Sequence, residues 1–131
     1  MIELEKISFR HENADVPSLK NVSLTIADGE CVLLCGESGS GKTTITRLIN
    51  GLIPHFYEGA LEGFAMVNGL NVTEAELYET AKLVGSVFQN PRSQFFCVDT
   101  TSELAFGCEN MGMPENEVHA RVDAAAKELK I

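Results

Sequence analysis

The sequence predicts an α/β fold: a core built around a phosphate-binding loop, with an antiparallel β part attached. Three observations predict it. The stretch GESGSGKTT fits the pattern G-x-x-x-x-G-K-[ST] through Gly36, Gly41, Lys42 and Thr43. The preceding residues, Cys31-Val32-Leu33-Leu34-Cys35, form a continuous apolar run, as in a strand buried on both faces. After the loop, Ile45, Leu48, Ile49 and Leu52 recur at i, i+3, i+4, i+7, the apolar stripe of a helix. Strand, loop and helix in that order are the context the pattern requires.

The loop chemistry follows from its residue types. Gly36, Gly39 and Gly41 allow positive φ and close approach of the backbone to a ligand. Successive N–H groups can then turn inward around phosphate oxygens. The helix beginning near Lys42 adds its positive end, roughly half a charge. Lys42 is a compact cation for β- and γ-phosphates, and the Thr43 hydroxyl is a ligand type for Mg²⁺. The bland reading is a Gly/Ser turn that merely joins a strand to a helix; the full motif with both flanks weighs against it.

Along the chain, Ile2, Leu4, Ile7 and Phe9 predict a strand with imperfect alternation. Residues 10–18 are a polar, proline-containing loop. Val22, Leu24 and Ile26 alternate with polar residues and predict a second strand, antiparallel to the first. The helix after the loop should end near Gly51, because Pro54 cannot continue it. Residues 53–60 read as a loop with exposed aromatics, and Leu61 to Val67 as a strand closed by an Asn68-Gly69 turn. A helix is expected over 74–82 with Thr73 as its cap. Residues 83–88 predict a second buried strand, parallel to 31–35 and ending at Gln89. Thr100 to Glu103 fit a capping box. Val118, Val122, Ala125 and Leu129 give a final helical stripe.

A chain of 131 residues is expected to form one compact domain with a real core. No apolar run approaches the ~18 residues of a membrane span. The start, MIELEKISF, lacks the basic region and long apolar segment of a signal peptide, so a cytoplasmic location is expected. A net charge of −9 argues against a nucleic-acid partner. The four cysteines form no C-x-x-C pair, and Cys31 and Cys35 sit in the apolar run; they read as buried, reduced thiols rather than as metal ligands or a disulfide.

Further residues carry a family resemblance over nearly the whole length. VFQNPRSQFF followed by SELAFGCENMGMP resembles the Q-loop region of ABC transporter ATPases, most closely the energy-coupling-factor (cobalt and vitamin importer) branch. The opening, from ISFRHENADVP through the phosphate loop, resembles the adenine-loop strand, second strand and Walker A segment of that family. GLIPHFYEGALEG is similar to the first half of tandem, duplicated ATPases in this branch.

The resemblance implies a P-loop NTPase core with an antiparallel β subdomain, cut within the helical subdomain. It divides the chain into a β part to about residue 30, a P-loop core over 31–90, and the Q-loop with the start of the helical subdomain over 91–131. It implies ATP and Mg²⁺ as cofactors. Gly36, Glu37, Ser38, Gly39, Ser40, Gly41, Lys42, Thr43 and Thr44 would bind phosphates, with Thr43 and Gln89 on the metal. Gln89 would also meet the attacking water in catalysis and report nucleotide state. His11 stands where the family usually has an aromatic that stacks on adenine. The segment from Asn90 to about Asp99 would lie near a transmembrane transporter subunit, at the inner face of the cell membrane. A second ATPase domain, in a homo- or heterodimer or in tandem, would complete the site. The signature loop, acidic strand and switch histidine of the family are expected beyond Ile131, so the chain reads as the N-terminal part of an ATPase that does not turn over ATP by itself.

Two other readings compete. A small P-loop nucleoside or metabolite kinase would need an arginine-bearing lid, whereas Arg10, Arg47, Arg92 and Arg121 are scattered. A non-transport ABC protein of ribosomes or DNA repair tends to carry basic inserts, which the negative charge disfavours.

Overall fold

The computed structural model describes residues 1–131. The chain forms two compact units, Met1–Ser86 and Val87–Ile131. The first unit is built on a four-stranded antiparallel sheet in the order β2-β1-β3-β4. Its strands are β1 (Ile2–His11), β2 (Leu19–Ile26), β3 (Gly59–Val67) and β4 (Leu70–Asn71).

The broken alternation of β1 has a structural cause. Leu4, Ile7 and Phe9 are all buried although Leu4 and Ile7 are an odd number of residues apart. Between them the register shifts against both neighbours, from Leu4↔Leu24 to Ile7↔Val22 and from Glu5↔Phe64 to Ser8↔Glu62. Lys6 lies there with φ +50°. This is a β-bulge: one extra residue changes the phase, so the same face stays apolar on both sides of it.

That face is covered by α1 (Lys42–Ile49) and the short α2 (Leu52–His55). Leu48 and Ile53, both fully buried, pack with Leu4, Ile7, Phe9, Leu19, Ala65, Val67 and Val72. Full burial of a side chain such as Leu48 contributes about 1.5–3 kcal/mol. Ile45 and Ile49 pack against the same core, as the helical stripe predicts. The Asn68-Gly69 turn forms with φ of +48° and +84°, the two positive values of a type I′ hairpin.

Several expectations are corrected. Residues 31–35 and 83–88 form no strands and join no ladder, so the parallel pair is absent. An apolar run supplies side chains for a buried strand, but a ladder also needs a neighbour for each N–H and C=O. Neither run is paired with the sheet or with the other run, and Leu33 and Val87 are 84% and 86% exposed. Cys31 and Cys35 are therefore free but exposed rather than buried. The helix expected over 74–82 shortens to α3 (Leu77–Ala81), without Thr73 as its cap. Thr73 instead donates its hydroxyl to Asn71 Oδ1 at 2.7 Å, which fixes the turn before it.

The second unit holds a 3₁₀ turn (Pro91–Gln94) and the helices α4 (Thr100–Asn110) and α5 (Glu115–Leu129). Val118 and Val122 of α5 pack with Ala105 of α4. Leu129 ends the predicted stripe but is exposed. The cap of α4 is Asp99, one residue before the expected Thr100; it accepts from the Ser102 N–H at 2.9 Å and from the Ser102 hydroxyl at 2.7 Å. Those two donors hold the Asp99 carboxyl below the usual carboxylate range. No helix is long and apolar enough to cross a membrane.

Candidate functional site

Residues 36–44 form a tight loop at the start of α1. Ser40 N–H donates to Glu37 O at 3.2 Å and closes a turn. Lys42 folds back over it: the ammonium donates to Gly36 O at 2.9 Å, to Glu37 O at 2.6 Å and to Ser40 Oγ at 3.2 Å. All three ammonium protons thus face loop oxygens, and the cation sits over the turn.

Gly41 is the N-cap of α1, in the left-handed region at φ +90°, and no side chain caps the helix. The first-turn N–H groups, those of Lys42, Thr43 and Thr44, have no acceptor within the helix by its geometry. They are available to an external anion, and no acidic side chain occupies the first turn to compete. A Cβ on Gly41 would lie 2.7 Å from Ser18 O and 2.7 Å from Leu19 Cδ2, so the loop is pressed against the start of β2. An open cavity of about 180 Å³ lies here, lined by Ser18, Gly39, Gly41, Lys42, Thr43 and Thr44. Thr44 is buried beneath it, while Thr43 is exposed at its wall.

His11 ends β1 in the same unit, half-buried, with its ring edge-on to Phe9 at 4.7 Å and to Tyr57 at 6.5 Å. Arg47 of α1 places its guanidinium 3.9 Å from the centre of the Tyr57 ring. Neither Tyr57 nor Arg47 was legible as a site residue. Of the two adjacent aromatics in that loop, Phe56 is 70% exposed as expected, but Tyr57 packs against the core. The usable signal was Gly59, which pairs opposite His11 and brings the loop back to β1.

Gln89 belongs to the second unit and is exposed, with no strand before it. Its expected position at a strand end fails because residues 83–88 find no ladder partner, and the chain bends at Gln89 itself. Gln94 Oε1 accepts the Phe88 N–H at 2.9 Å, and Ser93 donates its hydroxyl to Asn90 O at 2.7 Å. Beyond the turn, Glu103 accepts from the Phe96 and Cys97 N–H groups at 3.0 and 2.8 Å. This replaces the expected capping box with a longer reach back. Partial burial, then the Glu103 carboxylate, pushes the Cys97 thiol above its ordinary range. Phe95, Phe96 and Val98 are exposed around it.

An uncapped, lysine-covered glycine loop at the start of α1 is the local arrangement that anion-binding loops use, here without a strand over 31–35 before it. Comparison with known proteins narrows this. The family model for the ABC transporter matches residues 19–131, and the chain belongs to that family. It is 51% identical to a provisionally named ABC transporter ATP-binding protein of Treponema denticola, over all of this chain and 27% of the relative. It is 40% identical to the energy-coupling factor transporter ATP-binding protein EcfA1 of Ligilactobacillus salivarius, over 97% of this chain and 43% of that protein. Among solved structures it resembles cbiO1 from Clostridium perfringens, part of the ABC transporter complex cbiONQ, with a TM-score of 0.82 and 26% identity over 99% of this chain and 50% of that one. The chain thus spans from about a quarter to about half the length of these proteins.

Proposed function

We propose that this chain is the ATP-binding part of an importer's ATPase subunit of the energy-coupling-factor type. The observation that carries it is the loop itself: a cation folded over a glycine turn, at a helix start with no side-chain cap and no competing carboxylate. The donor set fits a Mg-nucleoside triphosphate, since it offers N–H groups, an ammonium and hydroxyls to phosphate oxygens. Lys42 would exchange one or more of its loop contacts for phosphate oxygens and keep the turn shaped with the others. The N–H groups of Lys42, Thr43 and Thr44 would complete the cradle, and His11 would stack on the base. Thr43, at the cavity wall, is proposed to hold Mg²⁺. The ion, when bound, supplies charge neutralisation across the phosphate oxygens. Gln89, in the second unit, is proposed to act on the attacking water solely because its stretch resembles the Q-loop.

The likeness to EcfA1 and to cbiO1 supports an importer with a membrane subunit as partner, met by the exposed segment from Asn90 to Asp99, at the inner face of the cell membrane. A second ATPase domain is proposed as the other partner, as the resemblance to ABC transporter ATPases implies. The kinase alternative needs arginines free for a lid. Instead the four are dispersed over separate elements: Arg10 on β1, Arg47 on α1, Arg92 in the 3₁₀ turn and Arg121 on α5.

The test is phosphate release from Mg-ATP by the full-length protein with its membrane partner, beside Lys42→Ala. Turnover abolished in the variant, with the partner co-purifying, is expected. Transfer of phosphate to a metabolite without any membrane partner would support the kinase instead.

A further inference from the structure

Two adjacent aromatics in the loop after α2 behave differently. Phe56 is 70% exposed, whereas Tyr57 is half-buried against the core. Tyr57 is fixed from three directions: its N–H donates to Leu52 O at 2.9 Å, the Arg47 guanidinium lies over one face of its ring at 3.9 Å, and the His11 ring meets it edge-on at 83°. Arg47 belongs to the helix that starts at the phosphate loop, five residues after Lys42, or about 7.5 Å along the axis. One rigid unit therefore links the phosphate end of the site to the His11 end through two stacked side chains.

His11 itself is held between two rings that both stand nearly perpendicular to it, Phe9 at 81° and Tyr57 at 83°. The residue opposite it in the ladder is Gly59, so no side chain covers the imidazole from β3. A Cβ there would come within 2.3 Å of Arg10 O and 2.9 Å of the Phe9 ring. A cavity of about 360 Å³ opens beside it, lined by Arg10, His11, Glu12, Glu58, Gly59 and Ala60. An imidazole is a small stacking surface, so its value to a planar base depends on its being held still. Rigid aromatic neighbours do that at low entropic cost.

We propose that Tyr57, clamped by Arg47, is a positioning residue that holds the His11 ring in place to stack on a nucleobase. The inference rests on the nucleotide-binding reading above. Tyr57 acts on the base end alone, although it leans on the helix that carries the phosphate loop.

The test uses the full-length protein and calorimetry with two ligands, Mg-ATP and Mg-tripolyphosphate, the latter having phosphates but no base. Tyr57→Leu is expected to weaken ATP by about 2- to 13-fold, the worth of an aromatic pair, and to leave tripolyphosphate within twofold. Tyr57→Phe, which keeps the ring, is expected to restore ATP binding. Lys42→Ala should weaken both ligands. Equal loss of both ligands in Tyr57→Leu would mean general damage to the fold and would overturn the inference, as would ATP binding unchanged by Tyr57→Leu or a Phe variant that fails to rescue. A wild-type protein that binds neither ligand overturns the nucleotide reading and this inference with it. A selective Tyr57→Leu effect beside an inert Lys42→Ala would sustain the inference and sink the phosphate-loop assignment alone.

Discussion

Gly39 and Gly41 share nearly the same φ but not the same surroundings, and that difference can be measured. Their φ values are +82° and +90°. Alanine in the left-handed region costs about 1–2 kcal/mol at either position. At Gly39 nothing lies within 4 Å of the new Cβ, so the cost should stop there. At Gly41 the Cβ would sit 2.7 Å from Leu19 Cδ2, which can rotate away, and 2.7 Å from Ser18 O, which cannot. Relief requires the loop to lift off the start of β2. Forced overpacking of this kind adds about 1–3 kcal/mol. Gly41→Ala should therefore destabilise the protein by about 2–5 kcal/mol and Gly39→Ala by about 1–2. Urea unfolding, extrapolated linearly, reads both. Equal losses in the two variants would refute the claim that the loop is pressed against β2.

Two further outcomes are expected. The Thr80 hydroxyl is buried at 1% exposure with no partner for Oγ1, so Thr80→Val should raise stability by about 1–2 kcal/mol in thermal unfolding, and a loss would show that the hydroxyl is satisfied. Because the Ser102 donors depress the folded-state titration of Asp99, its cap stabilises α4 above the ordinary aspartate value of about 3.9 and loses that effect as pH falls through the lower folded value; the Ser102 amide should gain exchange rate only below that range, and Asp99→Asn should remove the pH dependence.

How much was legible in the sequence depended on whether a feature is local. α1 and the Asn68-Gly69 hairpin were legible because each is specified by residues adjacent in sequence, and β1 and β2 because each carries its own apolar pattern and a short loop joins them. Ladder partners are not local, and that is where the reading failed: residues 31–35 and 83–88 carry strand-like side chains without pairing. Caps failed by one step, because Asp99 and Thr100 are both good caps in sequence and the choice falls to the one that meets Ser102. At the candidate site, the loop was read residue by residue, while Tyr57 and Arg47 were missed. Their contact joins a helix to a loop ten residues away, and no periodicity announces it.

Residues 36–44 are proposed to bind the phosphates of Mg-ATP, with Lys42 contributing directly. The most direct measurement is Mg-ATP affinity by calorimetry on the full-length protein, comparing Lys42→Ala with Gln89→Ala. A charge-assisted contact is worth about 1.5–3 kcal/mol, so Lys42→Ala should weaken binding by about 13- to 160-fold. Gln89 is an exposed neutral amide, so its loss should leave ground-state binding within about threefold, well under 1 kcal/mol. The reverse order, or an unchanged affinity in Lys42→Ala, would contradict the account.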